Sequence, residues 1–347
     1  MLAGAAVWGL ASCSDNDAPD FIPITNDAIS FNVHVPRASR AATVPTQTGT
    51  ISEFNVWAYV DGNPFMQNIS VTGGQGNWKY SPVMYWPADE KAVNFYGISP
   101  KIDGGIAPNG TNYNINDFTN NGKVDLLYSV NIGEKRSGSN PAPVDVNFRH
   151  ALSQIQIQLK REQFTEEQNR LKVEVAGVDL LQTYSVGSFN YPKETTSLNR
   201  PTEGSVGKWA AQKNPTDNVI YAGDAVTLAD SPKAFNSTGY SFAIPQVLPI
   251  ASHQADGYLG AFIRVKCAIY SEMSGVKLWP SQSTPGYDAS SGMAYLYFAL
   301  NADYLSVTQW EPGKAYNYTV TIGVPTGTGQ IGFDVTVDSY NDFSQDL

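Results

Sequence analysis

The sequence has 347 residues, of which 42% are hydrophobic and only 16% charged, and its formal net charge is -10. An acidic chain of this kind lacks the basic face that binding to nucleic acid or docking on anionic lipid requires. The length allows two domains of ordinary size, and the 19 Tyr, 15 Phe, 30 Gly and 21 Pro residues favour many short strands over helices.

Residues 1–12 form an apolar stretch that ends in small residues, and Cys13 and a polar, acidic segment follow it. The stretch is too short to span a bilayer and is typical of a secretion signal. Leu10-Ala11-Ser12-Cys13 resembles a bacterial lipobox, in which the cysteine is acylated and becomes the mature N-terminus. We therefore predict a lipoprotein signal over 1–13, lipidation at Cys13 and a tether over 14–28. The alternative is a chance cysteine after an ordinary signal. The sequence departs from the usual signal pattern in one respect, since no Lys or Arg precedes the apolar stretch.

The segment 29–35, ISFNVHV, alternates apolar and polar residues with the period of a strand that has one dry face. Its inward residues are Ile29, Phe31, Val33 and Val35. Pro36 ends the alternation, and the small residues after it are interrupted by Arg37 and Arg40. This composition predicts an exposed segment that is a good protease substrate.

Alternating or apolar runs predict further strands before residue 161, separated by turns rich in Gly, Asn and Pro. These strands lie at Ile51–Val60, Trp78–Tyr80, Val93–Ile98, Val124–Val130, Val144–Phe148 and Ser153–Lys160. Lys101–Gly122 is rich in Gly, Asn and Asp, and we expect a long surface loop there.

Arg161–Arg170 is the most charged stretch, and a single helical turn is predicted around Thr165. We place the boundary between domains 29–160 and 161–347 here, with the Ile132–Pro143 loop as the alternative. Strands are predicted at Leu171–Val178, Ser188–Tyr191, Ser241–Ile244, Ala261–Tyr270, Ala294–Leu300, Tyr316–Ile322 and Ile331–Val337. Residues 195–232 are polar, with only scattered apolar groups. The pattern predicts an all-β chain of two tandem β-sandwiches.

The sequence contains no convincing catalytic or metal-binding motif. His34, His150 and His253 are not at metal-ligand spacing, and Cys267 lies in an apolar run where we expect a buried side chain. Residues 327–332 satisfy G-x-G-x-x-G, but a strand and not a helix is predicted to follow. We predict no enzymatic activity and no cofactor.

Several phrases, in this order along the chain, resemble the Mfa-like fimbrillins, subunits of the type V fimbriae of Bacteroidales bacteria. They are Arg40-Ala41, Tyr85-Trp86-Pro87, Asn94–Pro100, Asp125–Tyr128, Phe148–Leu152, Ile244-Pro245-Gln246 and Trp310–Tyr318. The resemblance implies two transthyretin-like Greek-key β-sandwiches and export to the outer membrane on an acylated cysteine. It also implies that a protease cuts after an N-terminal Arg and removes the first strand, so that a strand from another subunit fills the vacated groove. Such proteins are structural and adhesive.

On this sequence, Cys13 matches the acylated position and Arg40 the cleaved one, with Arg37 as the alternative. The displaced strand is then ISFNVHV. The segment 331–337, IGFDVTV, repeats its inward residues as Ile331, Phe333, Val335 and Val337. The candidate donor strand is Ile331–Tyr340, which begins with this segment, and the alternative is that it is simply the last strand of its own domain. The expected partners are other fimbrillin subunits, the outer membrane before processing, and a surface ligand.

Two other functions stay open at this point. A fimbrial tip or anchor protein would share the fold, although an anchor would have no use for Arg37 and Arg40. A glycan-binding surface lipoprotein would need exposed aromatic rings, and a row of solvent-facing Trp or Tyr on one sheet would favour it. The Trp candidates are Trp78, Trp86, Trp209, Trp279 and Trp310.

Overall fold

The structure is a computed structural model that describes residues 27–35, 51–74, 76–88, 90–102, 106–109, 112–199, 201–254, 257–303, 305–325 and 333–339. Strands dominate these residues, and two short 3-10 turns lie at Glu167–Asn169 and Glu203–Ser205. Of the residues described, none belongs to a helix long and apolar enough to cross a membrane. The all-β prediction is confirmed, as is the helical turn near Thr165.

The described residues of the first half of the chain form ten strands. They are β1 (Phe31–His34), β2 (Glu53–Val60), β3 (Asn63–Gly74), β4 (Asn77–Tyr80), β5 (Val93–Ser99), β6 (Ala107–Asn109), β7 (Asn112–Thr119), β8 (Leu127–Glu134), β9 (Val144–Asn147) and β10 (Arg149–His150). Six of them form an antiparallel sheet in the order β10-β8-β5-β2-β3-β4. β1 pairs with β9 alone, in parallel.

In the second half, the part of the chain that the structure describes forms twelve strands. They are β11 (Ser153–Arg161), β12 (Leu171–Asn190), β13 (Lys208–Thr227), β14 (Lys233–Ala234), β15 (Ser241–Ala243), β16 (Ser252–Gln254), β17 (Gly257–Leu259), β18 (Phe262–Ser271), β19 (Lys277–Trp279), β20 (Ala294–Ala299), β21 (Lys314–Ile322) and β22 (Phe333–Ser339). One sheet runs β14-β11-β21-β22, with β15 also on β11. The other runs β19-β18-β12-β7-β6, with β13 on β12 and β20 on β18.

The segment 101–122 is not the long loop that its composition predicts, because it contains β6 and β7. β7 pairs with the far end of β12, where Phe118 lies opposite Gly187. Likewise, the polar region 195–232 contains the 20-residue strand β13, which follows β12 along most of its length. Both segments lie at sheet margins, where one edge or face remains in water and polar residues are tolerated.

β11 belongs by pairing to the second half of the chain. It runs parallel to β21, from Gln154 opposite Ala315 to Arg161 opposite Ile322. Its inward residues Ile155, Ile157 and Leu159 are buried with the strands of the second half. The boundary at 160/161 and the tandem Greek-key arrangement stay predictions, and this pairing favours a division before Ser153.

Buried side chains form three clusters. The first-strand cluster surrounds β1 and consists of Ile29, Phe31, Phe54, Val56, Ala58, Met66, Val71, Trp86, Val93, Phe95, Leu127, Val144, Val146 and Phe148. A middle cluster lies on the opposite face of the six-stranded sheet and includes Tyr96 from β5 and Phe189 from β12. A third cluster fills the second half, and Cys267 is fully buried in it, as predicted. β12 therefore joins two cores, with Leu171 in one and Phe189 in the other.

Candidate functional site

The candidate site is the groove that β1 occupies, since β1 lies between two segments that do not otherwise pair with each other. On one side it runs parallel to β9, with Phe31 opposite Val144 and Val33 opposite Val146. On the other side the amide N–H of Ile29 donates to the carbonyl of Met84 at 2.9 Å. The groove is thus lined by backbone on both sides and by the first-strand cluster beneath.

Side chains of the segment 29–35, which contains β1, enter the cluster to different depths. Ile29 is 2% exposed and Phe31 4% exposed, whereas Val33 and Val35 are half-buried and pack against the cluster margin. The Phe31 ring centroid lies 5.8 Å from that of Phe54, 5.6 Å from Tyr80 and 5.9 Å from Phe95. Edge-to-face and tilted pairs at these distances add to the effect of apolar burial. Phe31 is therefore the main anchor of the strand.

The opposite face of β1 is polar. The Asn32 side-chain amide donates to the Asp145 carboxylate at 2.7 Å, and the His34 Nε2 atom lies 3.5 Å from the same carboxylate. These contacts are at the surface, where a single ion pair contributes little to stability. The apolar face of the strand accordingly provides most of its binding energy.

Two further contacts fix the start of the strand. Arg136 approaches the Asp27 carboxylate at 2.7 Å, and both side chains are largely buried. The Tyr80 hydroxyl donates to the Ile29 carbonyl at 2.7 Å, and burial raises the pKa of this phenol. Because a phenol with a raised pKa stays protonated, it remains a hydrogen-bond donor over the physiological range. The first strand is held at its beginning by side chains as well as by its ladder.

The candidate donor segment lies at a sheet edge of the same chain. The backbone of β22 runs antiparallel to β21, from Phe333 opposite Val320 to Ser339 opposite Lys314. Ile331 lies outside the described residues, as do Cys13, Arg37 and Arg40. The roles predicted for these residues, and for the displaced and donor strands, stay predictions.

His150 and Cys267 are buried side chains of the described structure. Within the described ranges, no group of three or more His, Cys, Asp or Glu side chains is arranged to hold a metal ion. His150 lies in β10 and forms a close pair with the Asp125 carboxylate, and both side chains are buried. Burial also raises the pKa of the Cys267 thiol, which disfavours its reactive thiolate.

The Trp residues proposed for stacking on sugars are largely used in packing. Trp86 and Trp310 are buried, and the Trp209 indole N–H donates to the Ala151 carbonyl at 2.6 Å. Trp78 and Trp279 are half-buried.

A row of tyrosines that sequence reasoning missed lies on the outer face of β18 and β20. Tyr297 stacks on Tyr258 at 3.6 Å, Arg264 lies 4.8 Å from the centre of the Tyr295 ring, and Lys277 lies 5.5 Å from that of Tyr270. Each of these rings already contacts another side chain of the same chain. Tyr295 and Tyr297 alternate with buried residues within Ala294–Ala299, and this alternation is the sequence signal that could have placed both rings on the outer face.

The family model described as fimbrillin-like matches residues 39–339. The fimbrium subunit Fim1C of Phocaeicola vulgatus is 23% identical over 289 residues, which is 71% of this chain and 76% of that protein.

Among solved structures, a fimbrial protein from Bacteroides vulgatus ATCC 8482 aligns with a TM-score of 0.56 at 15% identity. The alignment covers 90% of this chain and 99% of that one, so the two share a fold. The family model extends from just before Arg40 through β22 and so covers nearly the whole described structure. The chain therefore belongs to the fimbrillin-like family.

Proposed function

We propose that this chain is a polymerising subunit of a cell-surface fimbria that assembles by exchange of its first strand. The precursor is exported as an outer-membrane lipoprotein acylated on Cys13. A protease cuts after Arg40, or after Arg37, and the segment that carries β1 leaves. The donor strand of another copy, residues 331–340, then occupies the vacated groove.

The observation that carries this proposal is the match between the groove and the candidate donor. The inward residues of the first strand and of the donor are identical and in the same order, Ile-Phe-Val-Val with one residue between each. In the structure, the groove receives the first two of these residues almost completely and the last two in part. Another strand with the same inward residues therefore places the same side chains at the same positions of the groove.

The energy of the exchange follows from these burials. Full burial of Ile29 and Phe31 is worth about 3–6 kcal/mol together, and the two half-buried valines add about 1–2 kcal/mol, before ordering costs. Loss of β1 also frees the amide N–H groups of Val144 and Phe148, which now donate to Ser30 and His34 carbonyls. An empty groove with unpaired donors binds an incoming strand by β-augmentation.

The position of β22 is compatible with its release. It is the outermost strand of its sheet, and β21 keeps its parallel ladder with β11 on the other side. An edge strand can leave without dividing the sheet that it leaves.

The proposal is tested by incubating the secreted precursor with an Arg-specific protease and sequencing the new N-terminus. We expect a cut after Arg40 or Arg37, followed by ladders that resist SDS. The matched controls are Arg40→Lys and Arg37→Lys, singly and together, which keep the charge but remove the cleavage site. No cut in this segment, or a cut without ladders, contradicts the proposal.

The donor role is tested separately by deleting residues 331–347. We expect a folded, secreted monomer that is still cut but forms no ladder by itself. Mixed with cleaved full-length chain, the truncated and cleaved protein should cap fibres, because it accepts a strand but supplies none. If the truncated chain fails to fold, the segment is an integral strand of its own domain and not a donor.

A further inference from the structure

A cleft of about 1030 Å³ opens where the segment before β21 faces the start of β13. Its walls include Trp209 from β13, Pro245, Val247 and Pro312, and Lys314 lies at one side. Val247 is 67% exposed although it borders this apolar surface. The volume is that of a binding site for a peptide or a medium-sized ligand. Sequence reasoning gave no sign of this cleft.

The direction of β22 leads the chain towards the cleft. β21 and β22 are antiparallel, and Ser339 at the end of β22 lies opposite Lys314 at the start of β21. The chain beyond Ser339 therefore leaves the sheet at the end where residues 309–313 enter it. Those residues form one wall of the cleft.

Residues 340–347, YNDFSQDL, have the length and chemistry to fill it. Eight extended residues reach about 26 Å, more than twice the roughly 10 Å width that the cleft volume implies. Tyr340, Phe343 and Leu347 offer apolar side chains, and Asp342 and Asp346 offer carboxylates.

The charges around the cleft favour an acidic occupant near Lys314. Glu203 lies 3.3 Å from Lys208, and Glu311 accepts a hydrogen bond from Gln309 at 3.1 Å, so both carboxylates have partners. Among the side chains that the structure describes, no carboxylate lies within ion-pair distance of Lys314. An Asp of the 340–347 segment would supply one.

We propose that Tyr340–Leu347 folds back into this cleft of its own chain, with its apolar side chains against Trp209, Pro245 and Val247. The segment then acts as a latch that keeps β22 on β21. The latch itself does not depend on polymerisation. Its consequence, that the cleft empties when β22 becomes a donor strand, rests on the proposed function.

Hydrogen exchange in the monomeric, uncleaved chain tests the latch. We expect slowed exchange across 340–347, independent of protein concentration. Val247→Asp removes an apolar wall residue and repels the two Asp residues, so exchange of the segment should accelerate about tenfold or more. The matched control is Val219→Asp on β13, since Val219 is 68% exposed and does not line the cleft. It should leave exchange unchanged.

Disulfide trapping provides a second readout. In a Cys13→Ser background, Phe343→Cys combined with Val247→Cys should give an intramolecular disulfide, while the buried Cys267 remains unreactive. Absence of protection, protection that Val247→Asp leaves intact, or a disulfide that forms only between copies each overturns the proposal. The last outcome would assign the cleft to a second subunit.

The two proposals fail differently. If ladders form normally but 340–347 is unprotected in the monomer, the latch is wrong and strand exchange stands. If the intramolecular disulfide forms and ladders do not, the latch stands without strand exchange. If both hold, the disulfide should block ladder formation, and reduction should restore it.

Discussion

Phe31→Ala tests how the first strand is held. Phe31 is the deepest aromatic anchor of β1, 4% exposed and within 6 Å of three aromatic rings by centroid distance. Removing its ring leaves a cavity in the first-strand cluster that rigid sheet neighbours cannot close completely. The change therefore acts on the strand that the proposed assembly removes.

The magnitude follows from the burial. Phe→Ala at a buried site costs about 3–5 kcal/mol, a factor of roughly 10²–10⁴ in the population that has lost its strand. Val35→Ala is the matched control on the same strand, because Val35 is half-buried at the cluster margin. It should cost about 1 kcal/mol or less.

The assay compares guanidinium unfolding before and after Arg-specific cleavage. In the uncleaved chain, Phe31→Ala should lower the free energy of unfolding of the first half by the amount above. After cleavage and assembly, variant and wild type should be equally stable, because residue 31 is no longer part of the fold. Variant precursors should also assemble faster once cut.

An effect of Phe31→Ala that persists in the assembled fibre would refute this reasoning. It would mean that β1 remains in its groove after cleavage. A loss no larger than that of Val35→Ala would also refute it, since the burial of the ring would then contribute nothing.

Three further predictions concern other contacts. Asp27→Asn should lose the ion pair with Arg136 and lower the free energy of unfolding by about 1 kcal/mol. An added protease should then cut the chain just before β1 faster, and an unchanged rate of cleavage would exclude a role for Asp27 in holding the strand. Arg149→Met should lower the free energy of unfolding by about 2–4 kcal/mol in thermal denaturation, because the buried guanidinium donates to the Ser197 carbonyl and, at 2.9 Å, to the Ser205 carbonyl. It should also speed cutting after Glu203 by a Glu-specific protease, and equally fast cutting in the wild type would contradict this. Burial raises the pKa of Tyr316 to about 12 from 10.0, so its neutral form stabilises the fold below pH 10, and this contribution is lost between pH 10 and 12. Tyr316→Phe should lose less stability than wild type over that interval in an alkaline titration followed by circular dichroism, and an equal loss would count against the assignment.

Local alternation predicted most strands but not their partners. The inward residues Ile155, Ile157 and Leu159 mark β11 as a strand with a dry face, yet nothing local indicates that its neighbour is β21, more than 150 residues later in the chain. Parallel pairing of distant segments is a property of the whole fold. For the same reason, the sequence places the domain boundary after β11, whereas the pairing favours a division before it.

Strands at solvent-exposed sheet edges were not predicted, for a different reason. β13 carries Pro215 and several polar residues, and its register with β12 shifts four times, so no regular alternation survives. The groove of the first strand was visible because its residues are apolar, local and regularly spaced. The cleft beside Trp209 was not, because its walls come from four separate segments of the chain.

Strand exchange requires that Phe333 of one copy take the place of Phe31 in another. Phe31 lies directly opposite Val144, and neighbouring strand positions are close enough for a disulfide. Cleaved chains that carry Phe333→Cys alone and Val144→Cys alone are therefore mixed and assembled under oxidising conditions. The account predicts an intermolecular disulfide between positions 333 and 144 in the fibre. Fibres without that disulfide would contradict it. So would a separate Phe333→Cys/Val320→Cys double variant that keeps its intramolecular disulfide and still assembles into fibres.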